Sequence, residues 1–356
     1  MVKETAPAQA VKHAVTVRGL VPAKDLGITL PHEHLLCDLG VRYSPAADEA
    51  MHLHAQPQLH DRWRLLRQPA GYRANLDGTS VESAVEEASL FRGLGGQTIV
   101  DLTPIGLKPD PVGLREVSHA TGLNVIASTG YYIDASLPEW VRTASVEQLA
   151  ARLIDDVLTG GREKVRRGAI GEIAIEGLTE LELRCVQAAG RAQARTGAPV
   201  FFHVMSGIFP QYRDSTEDLI KLYTREGGDL RKLVLCHQDG SGDDPSYQES
   251  LIKRGIWVEY DTFGSEGVFA LGERYIQLPT DTQRINEVAA LVKAGLGSRV
   301  LISQDICYQT AKVSWGGWGF IHLLATLKPR FASAGVNDAT FMSLMRENPA
   351  ELFGFA

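Results

Sequence analysis

Short apolar runs of strand length alternate along the chain with longer stretches of helical spacing. The runs are residues 28–34, 98–102, 123–128, 169–173, 199–203, 232–237, 256–261 and 299–305. Between them lie segments with helical periodicity and helix punctuation: residues 80–94, which stop at Gly95-Gly96, then 111–121, 145–159, 179–196, 216–226, 245–254 and 282–294. A last amphipathic helix, residues 338–346, precedes Asn348-Pro349-Ala350. Strands alternating with helices argue for an α/β fold with a parallel sheet, and eight such units argue for a (β/α)8 TIM barrel. A doubly wound open sheet is the runner-up. It would place a glycine-rich phosphate turn after the first strand, where His32-Glu33-His34 stands instead.

The remaining stretches are irregular. Residues 1–12 read as a flexible tail ahead of a single domain spanning 13–356. Residues 14–18 and 27–30, separated by Val21-Pro22-Ala23-Lys24-Asp25, are expected to form a short hairpin feeding the first strand. Residues 37 to 75, rich in Pro, His, Arg and Ala, read as a long loop with some helix over the C-terminal rim of the barrel.

The chemistry begins at Leu30-Pro31-His32-Glu33-His34. Side chains two apart on a strand share a face, so His32 and His34 project together and Glu33 points the other way. Paired imidazoles suit a metal ion. Polar residues recur at the ends of later strands: Glu172 on the fourth, His203 on the fifth, His237 on the sixth and Asp305 on the eighth. The C-terminal rim is where barrel active sites are built, and such a set of histidines and carboxylates calls for a cation to offset the buried charge. Six ligands exceed one tetrahedral zinc and suit two divalent ions sharing a carboxylate. Glu172 is the candidate bridge, with His32, His34 and Asp305 on one ion and His203 and His237 on the other. A water between two such ions becomes a hydroxide nucleophile near neutral pH, and Asp305 is placed to handle the proton. A second pair, His52-Leu53-His54, with His60 beyond, has no strand to carry it and reads as solvent-exposed loop histidines.

Composition narrows the partners. A formal charge of −7 without a basic stripe argues against nucleic acid and anionic membranes. No apolar run is long enough to cross a bilayer, and residues 1–15 have no apolar core of a signal peptide. The four cysteines, Cys37, Cys185, Cys236 and Cys307, are dispersed without a CxxC and fit a reducing, cytoplasmic setting. The partner expected is a small-molecule substrate. Tyr131 and Tyr132 after the third strand, and Trp315 and Trp318 in the glycine-rich loop after the eighth, are its candidate contacts. Arg213 and Lys312 are possible anchors for an anionic tail.

Several segments together resemble the phosphotriesterase-related family of the amidohydrolase superfamily. They are Gly27-Ile28-Thr29-Leu30-Pro31-His32-Glu33-His34, Thr98-Ile99-Val100-Asp101-Leu102-Thr103, the stretch from Thr121 to Tyr132, Ala169-Ile170-Gly171-Glu172-Ile173 and Gln304-Asp305-Ile306-Cys307. The resemblance covers nearly the whole chain, from Gly19-Leu20-Val21-Pro22 to Asn348-Pro349-Ala350-Glu351-Leu352. It implies a TIM barrel, a binuclear site that usually holds zinc, and often a homodimer. Phosphotriesterases proper and the related lactonases bridge their metals with a carboxylated lysine on the fourth strand. Glu172 stands there in this chain, and Lys164 comes too early to serve. The glutamate form resembles the branch of phosphotriesterase homology proteins and of the animal phosphotriesterase-related (resiniferatoxin-binding) protein. That branch implies hydrolysis of a carboxylic amide, ester or lactone. The alternatives are a phosphotriesterase and a non-catalytic ligand-binding barrel.

Overall fold

The computed structural model describes residues 11–44, 56–240, 244–271 and 274–356. An antiparallel hairpin of β1 (His13–Thr16) and β2 (Gly19–Pro22) opens the chain, with His13 opposite Pro22. The hairpin therefore closes earlier than the sequence pattern predicts. The Thr16 hydroxyl donates to the Gly19 carbonyl across the turn (2.8 Å), and residues 27–30 are left for the barrel.

The barrel strands are β3 (Thr29–Glu33), β4 (Thr98–Asp101), β5 (Asn124–Tyr131), β6 (Ala169–Ala174), β7 (Val200–His203), β8 (Leu233–Leu235) and β9 (Trp257–Tyr260). An antiparallel pair unforeseen in the sequence follows, β10 (Val268–Leu271) with β11 (Arg274–Gln277), and then the last barrel strand, β12 (Val300–Ile302). The eight-stranded sheet runs β3-β4-β5-β6-β7-β8-β9-β12 with every neighbouring pair parallel. Its ends approach each other: the Asp305 amide donates to the His32 carbonyl (3.3 Å), and the His32 amide donates to Ser303 Oγ (3.1 Å). The fold is a (β/α)8 barrel.

Local sequence sets the helix starts. Ser80 accepts the Ser83 amide ahead of Val81–Gly93, and Asp110 accepts that of Gly113 ahead of Pro111–Thr121. Ser145 with Gln148, Thr179 with Glu182 and Thr280 with Gln283 form reciprocal caps ahead of Val146–Leu158, Glu180–Thr196 and Asp281–Lys293. Each of these supplies partners for amides that the first helical turn leaves free. Helical turns at Leu323–Leu327 and Lys328–Ser333, after β12, were not signalled by the sequence pattern.

Strand side chains divide between two layers. Ile99, Val125, Val200, Leu233, Val258 and Val300 pack outward beneath the helices. Val100, Ile126, Phe201, Val234, Trp257 and Leu301 fill the barrel interior. Ala14 and Leu26 from the N-terminal segment, with Leu352 and Phe353 of the C-terminal helix Asn348–Phe353, join that inner column. Phe353 stacks on Phe201, ring centroids 5.9 Å apart. One end of the barrel is thereby plugged with apolar side chains, and polar groups gather at the other.

Two irregularities decide where those polar groups point. In β3 the pairing with β4 slips between Leu30 and Glu33, and in β6 the pairing with both neighbours slips between Ile170 and Ile173. Ile170 and Ile173 both pack in the outer layer although three residues apart, and Leu30 is also in the outer layer. Strict alternation would aim Glu172 and His32 outward; the extra residue turns each into the barrel. At the β6 slip the backbones of β5 and β6 nearly touch. A Cβ on Gly130 would fall 2.3 Å from the Glu172 carbonyl oxygen and 2.7 Å from the Gly171 carbonyl carbon. Gly130→Ala is expected to lose about 1–3 kcal/mol of stability in chemical denaturation, since backbone cannot yield as a side chain can. Gly93→Ala, with nothing within 4 Å of the added methyl, is expected to shift stability by less than about 1 kcal/mol.

Candidate metal centre

The bulges and the strand ends bring His32, His34, Glu172, His203, His237 and Asp305 to one place. Glu172 lies in the middle. Its Oε1 is 2.8 Å from His203 Nδ1, 3.3 Å from His32 Nε2 and 3.6 Å from His237 Nε2, and its Oε2 is 3.8 Å from His34 Nε2. Asp305 Oδ1 lies 3.2 Å from His34 Nε2 and 3.8 Å from His32 Nε2. His237 Nε2 is 2.9 Å from His203 Nδ1. Among the described residues, four groupings have potential ligand atoms within 4.8 Å of one another: His32, His34 and Glu172; Glu172, His203 and His237; His32, His237 and Asp305; and, behind the centre, His32, Cys236, Glu259 and Asp261.

The far sides of three rings are anchored. His32 Nδ1 meets Glu259 Oε2 (2.8 Å) and Asp261 Oδ2 (3.2 Å); His237 Nδ1 meets Asp261 Oδ1 (2.8 Å); His34 Nδ1 meets Thr103 Oγ1 (3.0 Å). A carboxylate or hydroxyl behind an imidazole fixes its tautomer and turns the other nitrogen forward, as behind metal-binding histidines. His32 Nε2 is buried and makes no hydrogen bond. A buried orphan nitrogen facing two carboxylates, within a set of nitrogen and oxygen donors, is the chemistry that a divalent cation satisfies.

Electrostatics point the same way. Burial opposes charge on His32 and His237, yet Glu259 and Asp261 respectively outweigh it and hold both imidazoles well above their usual range. Burial also opposes charge on Glu172, and the surrounding histidines, His203 foremost, pull it well below the carboxylate range. Burial lowers His203. The interior is thus drawn toward positive charge around its carboxylates. His203 and Asp305 keep 16% and 20% of their side chains exposed while the other four residues are buried, so solvent reaches the centre past these two.

Glu259, Asp261 and Thr103 were not singled out from the sequence. The first two are charged residues at alternate positions in the apolar strand Trp257–Tyr260 and just beyond it, a signal that two-residue periodicity carries. Glu33, on the opposite face from the histidines, ties β3 to the segment holding Asp305. Its Oε1 accepts from Ser303 Oγ (2.8 Å) and the Gln304 amide (3.0 Å), and its Oε2 from the Ile306 amide (2.8 Å). Burial pushes this carboxyl up to about 8 against the pull of those donors. Asp101 does the same for the segment after His34, accepting the Leu35 amide at 2.7 Å.

The expected substrate contacts separate. Tyr132 belongs to the mouth, its ring edge-on to His203 with centroids 5.6 Å apart. Tyr131 does not: it points outward from β5 into the core under the helices, and its hydroxyl donates to the Leu149 carbonyl (2.9 Å). Trp315 lines a surface cavity of about 330 Å³ with Leu59, Arg62 and Leu65, away from the histidines. Trp318 packs over Gly264 and against the outer core. Lys312 is buried, its ammonium 3.2 Å from Ser83 Oγ, and Arg213 lies over the Tyr247 ring at 4.5 Å. The four cysteines are free, and burial raises the Cys37 thiol beyond reactivity. His52 and His54 fall outside the described residues; His60 is exposed.

The profile of the Phosphotriesterase family matches residues 12–353. A protein of Danio rerio named N-acetyltaurine hydrolase is 32% identical over 347 residues, covering 96% of this chain and 97% of that protein. The crystal structure of a resiniferatoxin-binding protein from Rhodobacter sphaeroides superposes with a TM-score of 0.91 at 31% identity, covering 99% of this chain and 98% of that one. The phosphotriesterase homology protein from Escherichia coli, solved with phosphate in its active site, superposes with a TM-score of 0.74 at 27% identity over 92% and 99% of the two chains.

Glu33→Gln sets an amide donor against donors on the β12 side. The expected outcome is a loss of about 1–3 kcal/mol in chemical denaturation, accompanied by faster backbone hydrogen exchange at Gln304 and Ile306. Unchanged exchange there would show that Glu33 does not hold the Asp305 segment.

Proposed function

Because the chain belongs to the phosphotriesterase family, we propose that it is a hydrolase that uses two divalent metal ions, zinc first among them, to open a carboxylic amide. Esters and lactones fall under the same acyl chemistry. The observation that carries this reading is Glu172 standing between two histidine sets, His32 with His34 and His203 with His237. The relative named N-acetyltaurine hydrolase supports an amide as the bond cleaved.

His32, His34 and Asp305 would hold one ion and His203 and His237 the other, with Glu172 shared. Such ions supply an activated water and a Lewis acid for the carbonyl oxygen. The protein's own part is to position groups and to move a proton. Asp305, one-fifth exposed and 3.2 Å from His34, takes the proton released as the tetrahedral intermediate forms. It then returns that proton to the departing nitrogen, because an amide anion is too basic to leave unprotonated. Glu259, Asp261 and Thr103 keep the imidazoles in one tautomer and orientation through both steps. A barrel interior closed by apolar side chains at its far end limits water to the mouth.

A phosphoryl-ester reading has one observation behind it, the phosphate seated in the active site of the related Escherichia coli protein. A binding-only barrel is less well supported, since a chain released from catalysis has no need to keep Asp305 beside a full set of ligands.

Metal content and turnover decide among these readings. Protein purified without chelator is expected to carry about two ions per chain, and Glu172→Ala to lose at least half of them. Wild type is expected to hydrolyse N-acyl amides faster than aryl dialkyl phosphates. The reverse preference would move the site to phosphoryl transfer, and bound metal without turnover of amide, ester, lactone or phosphoester would make it a binding protein.

Acid is expected to strip the metal early. His32 and His237 are raised, so protons begin to compete above the ordinary histidine value of about 6.5, and affinity falls as pH drops through that range. Competition with a metal-chelating dye across pH measures this. A flat affinity from neutrality down to about pH 6 would contradict it.

A further inference from the structure

We propose that Arg42 docks a compact anionic group of the substrate, a carboxylate or a sulfonate, and so sets which acyl compounds the centre accepts. This rests on the amide-hydrolase reading. Arg42 ends the short turn Gly40–Arg42 on the segment after β3. Its Nε and Nη2 donate to the Tyr132 hydroxyl (3.2 and 3.1 Å), and the guanidinium lies 5.1 Å from the centroid of that ring. Tyr132 in turn meets His203 edge-on at 5.6 Å. The guanidinium therefore sits one aromatic ring from the imidazole that faces the mouth.

What remains of the fork is held by a replaceable partner. Arg42 Nη1 contacts Glu176 Oε1 and Oε2 at 2.9 and 3.1 Å, and Glu176 is 59% exposed. An ion pair whose carboxylate is so open to water holds weakly, so an incoming anion displaces Glu176 at little cost. Tyr132 meanwhile keeps the guanidinium in place, and a planar guanidinium pairs with carboxylate or sulfonate oxygens two at a time. Among the described residues, several other basic side chains already have partners, although Lys108 is 70% exposed and Arg213 lies over the Tyr247 ring. Arg73 and Lys108 converge on buried Asp38, Lys312 is buried against Ser83, and Arg284 is buried between Asp239 and Asp281.

The test compares three amides of similar size: N-acetyl-2-aminoethanesulfonate, N-acetyl-3-aminopropanoate and the neutral N-acetyl-2-aminoethyl methyl sulfone. The expected result is that Arg42→Met lowers the preference for the anions over the neutral sulfone, as a ratio of kcat/KM, by at least about tenfold, mainly through KM. Arg42→Lys is expected to recover part of that preference, and Glu176→Gln to lower KM for the anions. A response confined to one anion would identify the tail as sulfonate or carboxylate and still support the proposal. An unchanged ratio in Arg42→Met, with all three substrates weakened alike, would overturn it and leave Arg42 as packing for Tyr132. If wild type hydrolyses none of the three, the amide reading fails separately. Calorimetric titration of the same compounds into metal-loaded wild type and Arg42→Met then judges Arg42. Loss of anion binding in the variant supports the proposal; no anion binding to wild type, or equal binding to both, overturns it.

Discussion

The structure turns on buried negative charge. Glu172, Glu259 and Asp261 lie inside the barrel with Asp305 at its lip, facing four imidazoles and little water. Carboxylates in such a medium are tolerated only with positive charge among them. Protons on the histidines are one source, and the raised His32 and His237 show the interior reaching for them. Divalent cations would be the other, and they would also use the nitrogens that the outer carboxylates turn inward. The arrangement that holds the rings is thus the one that makes an empty centre costly.

The fold had to break its own regularity to assemble this centre. A barrel strand puts alternate side chains inside, and on that rule His32 and Glu172 follow Leu30 and Ile170 outward. One extra residue in β3 and one in β6 reverse the parity after the apolar positions have been committed to the outer layer. Gly130 lets the second bulge form, because a side chain there would strike the β6 backbone. Apolar packing below and ligand geometry above are served by the same strand because a bulge separates them.

This explains what was legible in the amino-acid sequence and what was not. The eight apolar runs and their intervening helices announce the barrel, since core strands and capped helices are written in local patterns such as Ser145 with Gln148. The six polar strand ends were equally visible. The bulges were not, because a shift of one residue is a relation between neighbouring strands. Tyr131 and Tyr132 show the cost: adjacent in sequence and alike in chemistry, they go one to the core and one to the mouth. The hairpin was misplaced for a similar reason, as a turn closed by Thr16 and Gly19 outcompeted a longer one whose second arm the barrel needed. Glu259 and Asp261 were legible in principle, for charge at alternate positions in an apolar strand has no place in a core without a partner.

The division of labour follows from where each group is anchored. Residues that hold the centre come from strand ends and are fixed by buried partners, so their geometry is tied to the stability of the whole barrel. Tyr132 and Arg42 come from the segments that follow β5 and β3, and their outermost partner, Glu176, is in water. On the docking proposed for Arg42, exchanging that partner would change what the mouth holds while His203 and Glu172 stay anchored. A barrel built this way changes its substrate at the rim while its reaction stays in the interior, because only the rim contacts can be traded without exposing an uncompensated charge.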